Sequence, residues 1–168
     1  MKLSKEEKKY WERKWGYRQQ QVLAMDTDVY RYNFRDSETS DEDLYWITTR
    51  VKSINRLDLD NTLVTDAGVQ YLTRLEALTE LRLKGCKGVT AAAIDDLSQL
   101  KTLELLHLIG TGIDLADIAP LQTLSNLKLL LVSSGDSEPE IRQQMAVLKP
   151  LFPQCELNVN HKVYETEK

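Results

Sequence analysis

A chain of 168 residues, 42% of them apolar, can bury one sizeable core but not several. Its net charge of -4 lacks the basic footprint of a nucleic-acid binder. No apolar run approaches the roughly 20 residues of a membrane span, so no membrane span is expected.

The charge is uneven. Residues 1–18 hold seven Lys/Arg against three Glu, a surplus of four, so the rest of the chain sums to -8. The opening MKLSKEEKKYWERKW has no apolar stretch of the kind a signal peptide needs. Cys86 and Cys155 are isolated and make no zinc pattern. They read as reduced, buried thiols, and the expected location is cytoplasmic.

The first predicted element is a helix over residues 2–16. Ser4 and Glu7 have the spacing of a capping box, and Gly16 is a stop. Tyr10, Trp11 and Trp15 fall on one side and would cover the open end of a stacked core. Three Glu among the Lys residues argue against a helix lying on an acidic membrane. Residues 1–28 are therefore read as an N-terminal helical cap.

From there a frame of apolar residues recurs every 24 or 25 positions. Ile54, Leu57 and Leu59 are followed by Leu78, Leu81 and Leu83. Leu103, Leu106 and Leu108 come next, then Leu127, Leu130 and Val132. A degenerate first copy occupies residues 29–53, with Tyr32 and Phe34 at the positions of Leu57 and Leu59. Each triad reads as a strand. Two further columns, Leu44-Val69-Ile94-Ile118 and Ile47-Leu72-Leu97-Leu121, read as the inner faces of returning helices. Ser40, Thr65 and Thr90 stand at the N-cap positions. Pro120 breaks the fourth return segment, which should be short or 3₁₀. A last helix starts at Ser137, with Glu140 completing its capping box, and Pro150 and Pro153 end it. Leu157 and Val159 make a sixth strand, and residues 161–168 read as a frayed polar tail.

Thr65-Asp66-Ala67-Gly68 followed by Leu72 resembles the T-D-x-G-x-x-x-L segment of ribonuclease-inhibitor-like and cysteine-containing leucine-rich repeats. Cys86 stands where such repeats carry Asn or Cys, with Thr62 and Thr111 in equivalent places. Phe152-Pro153-Gln154-Cys155-Glu156-Leu157 is similar to their closing unit. The small coupling factor B (subunit s) family of mitochondrial ATP synthase has a comparable layout. The resemblance covers residues 29–160. It implies an α/β solenoid, a right-handed βα superhelix with parallel strands on the concave face and α and 3₁₀ helices on the convex face. It also implies recognition of a protein partner; no enzymatic activity, cofactor or metal is expected.

A second resemblance competes locally. Asp58-Leu59-Asp60-Asn61-Thr62 is similar to the D-x-D-x-T signature of haloacid dehalogenase phosphatases. That resemblance implies Asp58 as nucleophile and Asp60 as general acid and base. Residues 135–140 would be an acidic magnesium motif, with Thr111 and Lys128 in supporting roles. The leucine frame accounts for the same residues without chemistry, so the scaffold reading is preferred. A structural assembly factor is a third reading.

Side chains alternate along a strand, so residues between the leucines should line the exposed face. Its first half carries Arg56, Asp58, Asp60, Arg82 and Lys84, with Asp58 expected to face Arg82 and Asp60 to face Lys84. Its second half carries Leu105, His107, Ile109, Leu129 and Leu131. The four apolar side chains should be wet unless a partner, a second copy or the C-terminal tail covers them. His107 is expected to be exposed. These ten residues are the candidate protein-binding site, with a homodimer through the apolar half as one possibility.

Overall fold

The computed structural model describes residues 2–164. Helix α1 spans Lys5–Trp15 and α2 spans Gln19–Leu23. Strand β1 (Asp28–Asn33) leads to α3 (Asp41–Ile47), β2 (Ser53–Asp58), α4 (Asp66–Leu72) and β3 (Ala77–Arg82). A 3₁₀ turn at Ala91–Ala93 runs into α5 (Ile94–Leu97), followed by β4 (Leu105–His107). Two 3₁₀ segments, Leu115–Asp117 and Ala119–Thr123, fill the return around Pro120 before β5 (Leu129–Val132). Then come α6 (Glu138–Leu148), a 3₁₀ turn at Lys149–Leu151, β6 (Glu156–Val159) and β7 (Lys162–Val163).

The seven strands form one sheet in chain order. The first six are parallel, and β7 returns antiparallel to β6. The leucine frame sets the register. Tyr32 pairs with Leu57, Leu57 with Leu81, Leu81 with Leu106, Leu106 with Leu130, and Leu130 with Leu157. From Leu57 to Leu130 this row is at most 1% exposed. Burying a leucine side chain contributes about 1.5–3 kcal/mol, so the row is the main source of stability. Leu44, Val69, Ile94 and Ile118, from the return segments, are buried against it.

Successive units are also stitched by side chains. The Asp41 carboxylate accepts hydrogen bonds from the Thr65 backbone N–H (2.8 Å) and hydroxyl (2.6 Å) of the next unit. Asp66 repeats both contacts on Thr90, each at 2.7 Å. Gly68 packs under the first clamp, where a Cβ would collide with Asp41. This is the physical reason for glycine in the Thr65–Gly68 segment. The small polar positions behave as expected. Thr62 and Thr111 donate to the carbonyls of Leu59 and Leu108, and the Cys86 thiol donates to Leu59.

At the N-terminal end Tyr10 and Trp11 are 2% and 1% exposed. Tyr10 stacks on Trp46 and donates to Asp43. Burial, followed by that hydrogen bond, raises the Tyr10 pKa. Ser4 caps α1 by accepting from the Glu7 N–H. The reciprocal half of the expected capping box is absent: the Glu7 carboxylate instead grips Arg50 at 2.5 and 2.6 Å and accepts from Trp11.

The tail also differs from expectation. Lys162 and Val163 pair with β6, and Tyr164 is buried, so residues 162–164 close the end of the sheet. Residues 165–168 lie outside the described residues. Cys86 is buried and Cys155 only half-buried; both are free thiols. No described helix is long and apolar enough to cross a membrane.

Candidate functional site

The outward side of the sheet presents two rows whose members are fixed by strand pairing. One runs Arg31, Arg56, Glu80, Leu105, Leu129, Glu156. The other runs Asn33, Asp58, Arg82, His107, Leu131, Asn158. Beyond the strand ends lie Arg35, Asp60, Lys84 and Ile109. The ten candidate residues therefore share one face, divided into a charged half over β1–β3 and an apolar half over β4 and β5.

In the charged half the two aspartates lie on the outward face as expected but are not wet. Asp58 is 6% exposed and Asp60 2%. The guanidinium groups of Arg35 and Arg82, themselves partly exposed, sit against both carboxylates. Arg35 Nη2 lies 2.8 Å from Asp60 and 3.3 Å from Asp58. Arg82 Nε lies 3.4 Å from Asp60 and 3.8 Å from Asp58. Asp58 thus faces Arg82 as expected, but at long range. Asp60 meets Lys84 through the Lys84 backbone N–H, which donates at 2.9 Å, rather than through the ammonium. The Asp60 N–H in turn donates to Asp58. Arg56 pairs with Glu80 at 3.2 Å. Above these residues lies an open groove of about 280 Å³, lined by Arg31, Arg35, Arg56, Arg82, Asp58 and Glu80.

The apolar half departs from expectation in another way. Leu105, Leu129 and Leu131 are half-buried rather than fully wet, and Ile109 is buried. His107, expected to be exposed, is only 4% exposed, hemmed in by the Arg82 and Leu131 columns. Neither of its ring nitrogens has a hydrogen-bond partner among the described residues. Two strands further on, the buried Oδ1 of Asn158 also has none. Burial, then the Arg82 charge, pushes the His107 pKa down to about 4. The imidazole is accordingly neutral at neutral pH. An unpaired buried polar group costs about 1–3 kcal/mol, so its presence calls for an explanation.

The residues of the phosphatase resemblance do not converge. Strand β5, which leads into residues 135–140, is three strands from β2, about 14 Å at ordinary strand spacing. Glu140 accepts from the Ser137 N–H and hydroxyl, contacts that lower its pKa. Glu138 pairs with Arg142 and Lys162, and Lys128 with Glu104. Among the described residues no group of three or more His, Cys, Asp or Glu is placed to hold a metal.

Arg35 was legible as a member of its column, but nothing in the sequence marked it as the clamp on both aspartates. The orphaned His107 and Asn158 atoms had no sequence signal at all. No model of a known protein family matches this chain, and no curated protein matches it.

Proposed function

We propose that this chain is a non-enzymatic protein-binding scaffold of the leucine-rich-repeat kind, a short βα solenoid that docks its partner on the outward face of the sheet. The observation that carries the reading is the apolar half of that face. Three half-buried leucines surround a histidine that is buried yet unpartnered. A covering protein surface would finish drying Leu105, Leu129 and Leu131 and could supply hydrogen bonds to His107 and Asn158. The charged half would orient the partner, and the apolar half would anchor it. A second copy of the chain is an alternative occupant of the same surface. A cytoplasmic location belongs to the same proposal and is supported by the two free thiols.

Capture from native lysate with wild type, Leu105→Glu and Leu129→Glu tests this. The expected result is specific loss of one captured protein, or of self-association by sedimentation, in both variants while the thermal melt is retained. Unchanged partners and unchanged mass in both variants would remove the reading. The phosphatase alternative predicts magnesium-dependent turnover of p-nitrophenyl phosphate that Asp58→Asn abolishes. The distance between β2 and residues 135–140 supports the scaffold over it. An assembly factor would have the same binding face but require its complex for any measurable effect.

A further inference from the structure

The groove over β1–β3 differs from its surroundings in holding four guanidinium groups within a chain of net charge -4. Their charges do not balance internally. Arg35 and Arg82 are matched by Asp58 and Asp60, and Arg56 by Glu80. Arg31 has no ion-pair partner among the described residues, so the groove carries one uncompensated positive charge at its rim. Donors are also left over. Within the described residues the terminal nitrogens of Arg56 and Arg82 make no hydrogen bond, and the Arg31 guanidinium makes none. Tyr30, 67% exposed, stands beside the Arg56 guanidinium at 5.7 Å.

A surplus of one charge above two buried carboxylates selects among anions. A single carboxylate would neutralise Arg31 and accept from the spare donors of Arg56. A polyanion would bring several charges toward Asp58 and Asp60, which repel it and already hold Arg35 and Arg82 in place.

The row that holds Arg31 and Arg56 continues through Glu80 into Leu105 and Leu129. Strands lie about 4.8 Å apart, so Arg56 and Leu105 are separated by about 10 Å, and Arg56 and Leu129 by about 14 Å. An extended peptide advances about 3.3 Å per residue. Four residues therefore span the distance from the cationic groove to the leucines, and an even offset keeps both side chains of an extended segment on the side turned to the sheet.

We propose, resting on the protein-binding reading above, that this face recognises an extended segment of a partner protein in which a Glu or Asp is followed or preceded, four positions away, by a large apolar residue. The acidic side chain enters between Arg31 and Arg56. The apolar one seats against Leu105 and Leu129. The segment crosses the strands rather than adding to the sheet edge.

The test uses the full chain and fluorescein-labelled ten-residue peptides, each with one Glu and one Leu in a Ser/Gly background, offset by one to six positions. Fluorescence anisotropy should rank the offset of four tightest, at least threefold over offsets of one, three and six. Arg31→Glu should weaken the offset-four peptide at least fivefold. Because Arg31 is exposed and has no ion pair among the described residues, the variant's thermal melt should match wild type. Affinity that ignores the offset, or is unchanged in Arg31→Glu, overturns the proposal. So does tighter binding of a phosphoserine peptide or a single-stranded oligonucleotide than of any Glu peptide. Offset-independent binding combined with partner capture lost in Leu105→Glu would leave the scaffold reading standing and remove only this one. Retention of every partner in Leu105→Glu would remove both.

Discussion

The two halves of the outward face are built on the same strands and spine, yet they treat buried polar groups in opposite ways. Over β1–β3, Asp58 and Asp60 are sunk below the surface, and both are met by Arg35, Arg82 and backbone N–H groups. Over β4–β6, His107 is sunk as deeply and is met by nothing within the described residues. Burial alone therefore does not distinguish these two kinds of polar group; satisfaction does. In the first half the buried polar groups are complete as they stand, and only the exposed Arg31 at its rim has no ion pair among the described residues. The second is the half that a partner would improve.

The largest expected effects test whether this contrast is confined to the surface. Leu81→Ala lies in the spine beneath the charged half, and Leu106→Ala beneath the apolar half; both are 0% exposed. Each should lose about 3–4 kcal/mol in urea unfolding, because each leaves a cavity in the same row. A difference between them above about 1.5 kcal/mol would show that the two halves differ in their core as well.

The next effect concerns pH. The His107 pKa is depressed in the folded protein to about 4, against about 6.5 unfolded. Between these values the unfolded chain binds the extra proton, so stability rises with pH across this window and is lost as pH falls. The loss from this one group reaches up to about 3 kcal/mol at pH 4. In His107→Leu that part of the pH dependence should vanish, as read from urea midpoints between pH 7 and pH 4.

At neutral pH the contrast is sharpened by pairing two substitutions. Asp60→Ala removes the anion that holds Arg35, Arg82 and the Lys84 N–H, and should destabilise by about 2–3 kcal/mol. His107→Leu should be neutral or stabilising by about 1 kcal/mol, since it deletes a polar group that pairs with nothing among the described residues. Equal losses at both positions would contradict the distinction. The smallest effect is Arg31→Ser, expected within about 0.5 kcal/mol of wild type, because the side chain is exposed and has no ion pair among the described residues.

Much of this architecture could be read from the amino-acid sequence, for a simple reason. The 24- or 25-residue frame sets the pairing of Leu57, Leu81, Leu106 and Leu130, and one buried face admits one register. Pro120 likewise announced the 3₁₀ segments around it. What escaped depends on side-chain reach. Glu7 was expected to cap its own helix but extends to Arg50, 43 residues away. The 25-residue spacing of Asp41 and Asp66 was visible, yet their role as clamps on the following unit is not implied by spacing alone. Alternation put Asp58 and His107 on the outward face, as found, but said nothing of how deeply neighbouring columns would bury them. The antiparallel return of Lys162–Val163 was hidden because two residues carry no periodicity.

The most direct measurement is quantitative capture from native lysate by three proteins side by side: wild type, Leu105→Glu and Val147→Glu. Val147 is 70% exposed on α6 and serves as a control for added charge away from the sheet. The account expects Val147→Glu to retain a bound protein that Leu105→Glu loses, with both variants folded by thermal melt. Equal retention by both, or equal loss, would contradict a partner docked on the outward face of the sheet.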